Sequence, residues 1–406
     1  MSTAVVKRGF RFRFYPTPTQ EAELARTFGC VRKVYNLALE IRSQAWQQDR
    51  QRVTFNDTSA MLTLWKQTEE LAFLNDVAAV PMQQALRHLQ SAFTAFWEKR
   101  ARFPRFKTRK NSRASAEYTR SGFRWRSGQL TLMKITGPLD IVWSRPLPEG
   151  MEPSTVTVSK DRAGRWFVSM RCDDPGIRFL PQVDSAIGID AGLNSLVTLS
   201  TGEKIANPRY EERDRARLAK AQRTLHRKAV GSNNRNKARG KVARIHARIA
   251  DRRRDFLHKL TTRLVRENQT LAIEDLRVSN MVKNHNVARA ISDASWREFR
   301  TMLEYKASWY GRTVVVVDRW YPSSKLCSNC GNTAESIPLQ IRTWTCGSCG
   351  SKHDRDVNAA RNILAAGSAV TVCGDGVRPL RRIPDGQSSM KQKTLARKAQ
   401  DFLSIR

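Results

Sequence analysis

The 406-residue sequence lacks any apolar run approaching the ~18–20 residues that a membrane-spanning helix needs, so no span is expected. Its opening, MSTAVVKRGFRFRF, has neither the apolar core nor the small-residue cleavage site of a secretory signal. Acids are scarce: 37 Asp and Glu stand against 72 Lys and Arg, a formal charge of +35. Such an excess repels itself in a compact state unless a polyanion neutralises it, and nucleic acid is the obvious polyanion. An even disulfide framework is missing too. There are seven cysteines, four of them in two tight pairs, which suits a reducing cytoplasm and a bound metal. Cys30, Cys172 and Cys373 stand alone and are expected to pack in cores or stay idle. Apolar residues are not lacking: at 40 % they suffice for real cores, and the length suggests two to three domains.

Along the chain, RGFRFRFYP alternates, with Phe10, Phe12 and Phe14 on one face and Arg11 and Arg13 on the other, as in a strand with one wet, basic side. Helical spacing follows. Thr19 is expected to cap a helix carrying Leu24, Phe28, Val31, Tyr35 and Leu39, and Leu86, Leu89, Phe93, Phe96 and Trp97 continue the pattern to about Arg102. In RFPRFKTRKNSR, Phe103 and Phe106 interleave with Arg105, Lys107 and Arg109, a mixture suited to backbone contacts and base stacking. Period-2 segments then predict a small β-barrel or sandwich that includes the first strand, with DRAG as a hairpin turn. The helical block is an excursion from it.

Near Gln182 the pattern changes to strands and helices. AIGIDAG and QTLAIEDL are apolar strands ending in acids, SLVTLS and EKIAN are further strands, and RTVVVVDRW reads as a fully buried one. Two helices between Tyr210 and Val265 meet at a turn expected at GSNN. From Arg213 to Arg254 they hold 16 Lys or Arg and 2 Asp, and Arg223, Arg227, Arg235 and Arg239 are candidate phosphate contacts. Val242, Ile245, Ile249, Phe256 and Leu260 form the packing stripe. ASWREFRTMLEYKASWYG is a helix stopped by Gly311, VNAARNILAAG another, and the tail from about Ser368 is polar and basic.

The cysteines Cys327, Cys330, Cys346 and Cys349 have the C-x2-C-x15-C-x2-C spacing of a structural four-thiolate zinc ribbon. Four protein ligands leave no open position for water, so this zinc would hold shape rather than catalyse. Too short to build its own core, the segment would draw its folding energy from the metal. It stands directly against Asp354, Asp356 and Asn358, while His353 reads as a local hydrogen-bonding residue.

With the ribbon set aside, the element order from Ala186 resembles the ribonuclease H-like fold of RuvC-type nucleases. In that fold the first and fourth strands lie parallel at the sheet centre, so the resemblance implies that Asp190 and Glu274 emerge as neighbours and that the last helix brings Asp356 to them. Three such carboxylates would repel one another without a cation, and two Mg²⁺ ions would suit them. Asp275 and Asp354 are the rivals for the second and third places. Gly188 and Gly192 would let substrate backbone approach, and Arg342 would reach toward a phosphate.

FRFYPTPTQ, GIDAGL, IEDL, CSNCG, WTCGSCG, HDRDVNAARNIL and CGDGVRP, in this order, resemble the TnpB (OrfB) family, transposon-encoded relatives of type V CRISPR effectors. The resemblance covers nearly the whole chain. It implies an RNA-guided DNA endonuclease with Asp190, Glu274 and Asp356 as catalytic acids, a guide RNA from the transposon end, and a double-stranded target beside a short flanking motif. It also implies a division into residues 1–15 (first strand of a wedge barrel), 16–102 (helical recognition insertion), 103–181 (rest of the barrel), 182–326 (nuclease), 327–349 (zinc ribbon that binds target nucleic acid), 350–367 (nuclease, last part) and 368–406 (basic tail). A cleavage-deficient repressor of the same family and a conventional transposase of the same fold are the alternatives. A cytoplasmic location is expected in each case.

Overall fold

The computed structural model describes residues 6–148, 150–174, 179–338 and 340–372; the CGDGVRP motif, Cys373 and all of the expected tail except residues 368–372, which are helical, lie outside them. The chain forms two compact units, Met1–Phe179 with Arg209–Phe256, and Leu180–Pro208 with Leu257–Arg406. No helix among the described residues is long and apolar enough to cross a membrane.

The first unit opens with strand β1 (Val6–Phe14), whose Phe10, Phe12 and Phe14 are buried. Helix α1 (Pro18–Asp49) starts at Thr17, not Thr19. Thr17 accepts the Gln20 N–H at 3.2 Å and the Gln20 side chain accepts the Thr17 N–H at 3.1 Å. Proline at the first helical position and Gln three residues after the cap fix that register. Helices α2 (Phe55–Trp65) and α3 (Ala79–Trp97) follow. Leu86, Leu89 and Phe93 of α3 join Leu24, Phe28 and Leu39 in one core, whereas Phe96 and Trp97 stay exposed.

Strands β2 (Ala114–Thr119), β3 (Phe123–Arg126), β4 (Gln129–Leu132), β5 (Ile141–Val142), β6 (Pro153–Lys160) and β7 (Trp166–Asp174) complete the β part. Four of them join β1 in an antiparallel sheet in the order β2-β6-β7-β1-β5, and β3 and β4 form a separate hairpin. The ladder ends at β2 and β5. The β6–β7 turn is DRAG as expected, with Gly164 in the left-handed region at φ 81° and its N–H on the Asp161 carbonyl at 3.1 Å.

Helices α4 (Tyr210–His226) and α5 (Asn233–Glu267) pack through Leu218, Ile245 and Ile249. Their turn falls earlier than GSNN, because Asn233 and Asn234 are already helical. Ser232 accepts the Arg235 N–H at 3.1 Å, and the Arg235 guanidinium donates to the carbonyls of Leu225 and Lys228 at 3.2 and 2.7 Å.

The second unit holds strands β8 (Ala186–Ala191), β9 (Ser195–Leu199), β10 (Lys204–Ala206), β11 (Thr270–Glu274) and β12 (Thr313–Val317), in the order β10-β9-β8-β11-β12. β8, β9 and β10 are an antiparallel meander; β11 runs parallel to both β8 and β12. As an edge strand β12 buries only Val315 and Val317, so the run of valines is half-buried rather than wholly enclosed. Helices α6 (Val278–Met281), α7 (His285–Ala294) and α8 (Trp296–Tyr310) follow β11, and α8 stops at Gly311 with φ 68°. A short hairpin, β13 (Thr343–Thr345) and β14 (Lys352–Asp354), leads into helix α9 (Arg355–Val372).

Helix α9 crosses β8 and β11 with no room for a side chain between. A Cβ on Gly188 would sit 2.0 Å from the Ala360 carbonyl, and one on Gly367 would sit 2.7 Å from the Ala272 Cβ. Gly188 is therefore needed for helix-on-sheet packing, not for the approach of a substrate. At Gly192 the Ser195 carbonyl would be 3.0 Å from such a Cβ.

Candidate active site and metal centre

Ile189 of β8 faces Ile273 of β11 in parallel register, so the next residues, Asp190 and Glu274, leave the sheet side by side. Helix α9 supplies Asp356 from its first turn. The three share one electrostatic environment. Burial pushes the Asp190 carboxyl up to about 7, Glu274 and Asp356 add to the rise, and Arg355 opposes it. Burial also raises Glu274, against a hydrogen bond from Ser323. Arg342 lies at the same place, its guanidinium 3.4 Å from Asp356.

The rival acids are occupied elsewhere. Asp275 points away from Glu274 by strand alternation and is held by Arg300 at 2.8 Å and by Arg319. Asp354 caps α9, accepting the Val357 N–H at 3.1 Å, and pairs with Lys204 at 2.6 Å. Against the cost of burial, those bonds hold its carboxyl below the usual range.

Among the described residues, Cys327, Cys330, Cys346 and Cys349 are the one group of metal-ligating side chains whose donor atoms all lie within 4.8 Å of one another. Cys327 and Cys349 sulfurs are 3.7 Å apart, Cys330 and Cys346 3.6 Å. Thiolates on one tetrahedral zinc at ~2.3 Å would be about 3.8 Å apart, so the set fits that ion. The two knuckles have the same backbone. Gly331 donates to the Cys327 carbonyl and Gly350 to the Cys346 carbonyl, both at 2.9 Å, with the glycines at φ 75° and 70°. His353 stays outside the four, its Nε2 within hydrogen-bonding distance of the Cys327 sulfur at 3.1 Å. The acids do not meet the single-ion spacing of the cysteines, and a cluster of desolvated, mutually repelling carboxylates suits cations shared between them.

Sequence reasoning missed the clamp between these centres. Asn358 and Asn362, buried one turn apart on α9, donate side-chain amides to the Leu326 carbonyl at 2.7 and 2.6 Å. Asn362 also donates to the Ser323 carbonyl at 2.8 Å, and Asn358 accepts the Ser328 N–H at 2.9 Å. The first knuckle is thus bolted to the helix that carries Asp356, through the residue whose hydroxyl meets Glu274. Two asparagines at i and i+4 among alanines in NAARN were the available signal.

The basic candidates divide. Arg11, Arg105, Arg109, Arg223, Arg227 and Arg239 are exposed. Arg11 lies 3.6 Å over the Phe167 ring, crowded by Arg113 and Arg254, and Arg13 lies over Tyr15 and Phe167. Lys107 turns inward over Tyr35 at 3.8 Å, and Arg235 staples the α4–α5 turn.

In fold, the chain is similar to a compact effector, the mini-RNA-guided endonuclease CRISPR-Cas phi3, with a TM-score of 0.52 at 9 % identity over 89 % of this chain and 92 % of that one. Residues 168–285 match the OrfB model described as "Probable transposase", residues 296–363 the Cas12f1-like TNB domain, and residues 1–51 the OrfB helix-turn-helix domain. A Streptomyces pristinaespiralis protein with "RNA-guided DNA endonuclease" in its name is 67 % identical over 389 residues, 96 % of each chain. InsQ of Escherichia coli K12, with the same words in its name, is 34 % identical over 93 % of this chain and 97 % of its own. The chain belongs to the TnpB (OrfB) family.

Proposed function

We infer that this protein is the RNA-guided DNA endonuclease of an insertion-sequence transposon, acting in the cytoplasm and cutting double-stranded DNA beside a short flanking motif at one RuvC-like site. The observation that carries the reading is the convergence of Asp190, Glu274 and Asp356 from three distant segments, at the cost of pushing Asp190 up to about 7. Burial of that kind is unfavourable unless cations complete the site. Two divalent ions, Mg²⁺ in the first place, would be held by these carboxylates and would supply an activated water and charge for the leaving oxygen.

The chain's own residues do the rest. Asp190 and Glu274 aim carboxylates from a rigid parallel pair, Ser323 orients Glu274, and Arg342 is placed to meet a phosphate oxygen. A cavity of about 1010 Å³ adjoins Glu274, lined also by Ile189, Arg277, Trp296 and Arg300, and gives a strand room to lie against the site. A guide would read sequence by pairing, while the protein grips an A-form backbone through charge. The domain scheme in which a wedge with a helical insertion precedes a ribonuclease H-like domain holding a zinc ribbon accommodates these roles. A cleavage-deficient repressor would need none of the three acids in this arrangement.

Expression with the flanking transposon end, followed by sequencing of co-purified RNA and a plasmid cleavage assay, tests the reading. A discrete RNA and cleavage directed by its guide segment are expected. Cleavage by RNA-free protein, or a bound RNA with no cleavage in any divalent metal, would overturn it.

A further inference from the structure

An aromatic pocket in the first unit shares no residue with the acidic site or the cysteine cluster. It has a volume of about 420 Å³, within the range of small-ligand sites, and is lined by Trp46, Phe93, Phe96, Trp97, Phe103 and Arg42. Four of these rings are exposed: Trp46 by 53 %, Phe96 by 36 %, Trp97 by 46 % and Phe103 by 47 %. Edge-to-face packing of Phe103 on Phe93 and Phe96, at 5.5 and 5.4 Å, holds one wall rigid.

Arg42 is the unusual member. It is 6 % exposed, stacked 4.3 Å over Phe93, and its Nη1 is buried with no hydrogen-bond partner. An unpaired buried guanidinium donor costs free energy, so such a group calls for an acceptor that binding would bring. The rim is cationic as well. Arg52 lies 5.2 Å over Trp97 and Arg50 5.8 Å over Trp46, Arg50 in the left-handed region at φ 53° where α1 ends. Asp57 is the acid that Arg42 feels, and it is engaged in capping α2 through the Thr54 N–H at 2.7 Å. The occupant that fits has a flat π-face, an in-plane acceptor and a negative charge at its edge.

We propose that this pocket takes one unpaired nucleotide of a bound single strand. Its base displaces the Arg50 and Arg52 guanidinium groups from the Trp46 and Trp97 faces and stacks there, a base carbonyl or ring nitrogen accepts from Arg42 Nη1 as the pocket opens, and its phosphate meets the displaced arginines. The proposal rests on the nucleic-acid-binding part of the reading above and not on cleavage. An apolar peptide side chain would leave the Arg42 donor unmet and gain nothing from the rim charges.

The full chain is titrated with single-stranded RNA and DNA of roughly 12 nucleotides over a range of salt. Trp46→Ala with Trp97→Ala should weaken binding roughly 5- to 100-fold without changing the salt slope, since stacking releases no counterions. Arg50→Gln with Arg52→Gln should flatten the slope. Arg42→Lys, which keeps the charge, should weaken binding in the same sense, and comparison of the RNA and DNA series identifies the strand. Strands carrying 5-bromouracil should photocrosslink to Trp46 or Trp97. Unchanged affinity of the double tryptophan variant together with crosslinks elsewhere overturns the proposal. So does a self-association that the same variant dissolves, which would make the pocket an interface between copies. Failure of the unmodified chain to bind any strand would instead refute the nucleic-acid reading itself.

Discussion

The side-chain oxygen of Asn358 accepts the backbone N–H of Ser328 at 2.9 Å, tying the middle of the first C-x2-C turn to the helix that begins beside Asp356. The four-cysteine cluster stands against a carboxylate here because the two are held by one clamp. The knuckle sets α9, and Ser323 at the base of the knuckle meets Glu274.

Asn358→Ala should therefore leave zinc content near one per chain while lowering cleavage about 10- to 100-fold, the usual cost of losing an orienting partner. It leaves the Ser328 N–H unmet, which costs about 1–3 kcal/mol. Cys349→Ser should instead lose the metal and open the segment around Cys327 to Cys349. Zinc analysis and hydrogen exchange over that segment separate the two cases; equal zinc loss in both would show that Asn358 merely supports the ribbon.

Asp356→Ala and Asp190→Ala are each expected to reduce cleavage by roughly a thousandfold or more, about 4 kcal/mol of transition-state stabilisation, with guide RNA binding intact. Asp354→Asn should keep most activity, because Asn still caps α9. Its Ala counterpart should cost ~1 kcal/mol of stability. Single-turnover cleavage beside RNA retention decides it: an inert Asp354→Asn and an active Asp356→Ala would reverse the assignment.

The raised Asp190 gives a pH test. An unfolded Asp titrates near 3.9, whereas the native group sits at about 7. Between those values the native state holds more protons than the unfolded one, so stability falls as pH rises through this window. Without divalent ions the second unit should lose on the order of 2–4 kcal/mol from this group between about pH 4 and 8, and Asp190→Asn should abolish that loss. Added Mg²⁺ should offset it at the alkaline end by binding the ionised form. Thermal unfolding at several pH values measures this, and parallel curves for both proteins would contradict it.

Gly188→Ala should be severe for its size. The new methyl group would meet the Ala360 carbonyl at 2.0 Å, so α9 must move or β8 must bend. A cost of about 2–4 kcal/mol is expected, with Asp356 displaced and activity lost. Gly192→Ala, with its nearest contact at 3.0 Å, should be milder. Similar melting temperatures for the two would refute the packing role.

Much of the second unit could be read from the chain because its signals are local. GIDAGL and QTLAIEDL are apolar runs that end in acids, and the knuckles repeat one spacing. Their pairing, β8 beside β11, came from resemblance, since no local pattern states which strands meet. What stayed illegible was partnership at a distance. Gly188 looked like room for substrate until Ala360 was seen against it, Asp354 stayed a rival to the preferred Asp356 until it was found capping α9, and Lys107 looked like part of a basic surface until it was found over Tyr35. Phe96 and Trp97 kept helical spacing yet face outward, because the stripe on α3 is narrower than the run of apolar letters.

Helix α9 is the last described element, and it both brings the third acid and wedges against β8 and β11. A nascent chain emerging from the ribosome would thus carry its arginine-rich helices long before it could be armed. A chain truncated ahead of this helix would lack both Asp356 and the element that closes on Gly188, and so could not complete the acidic site.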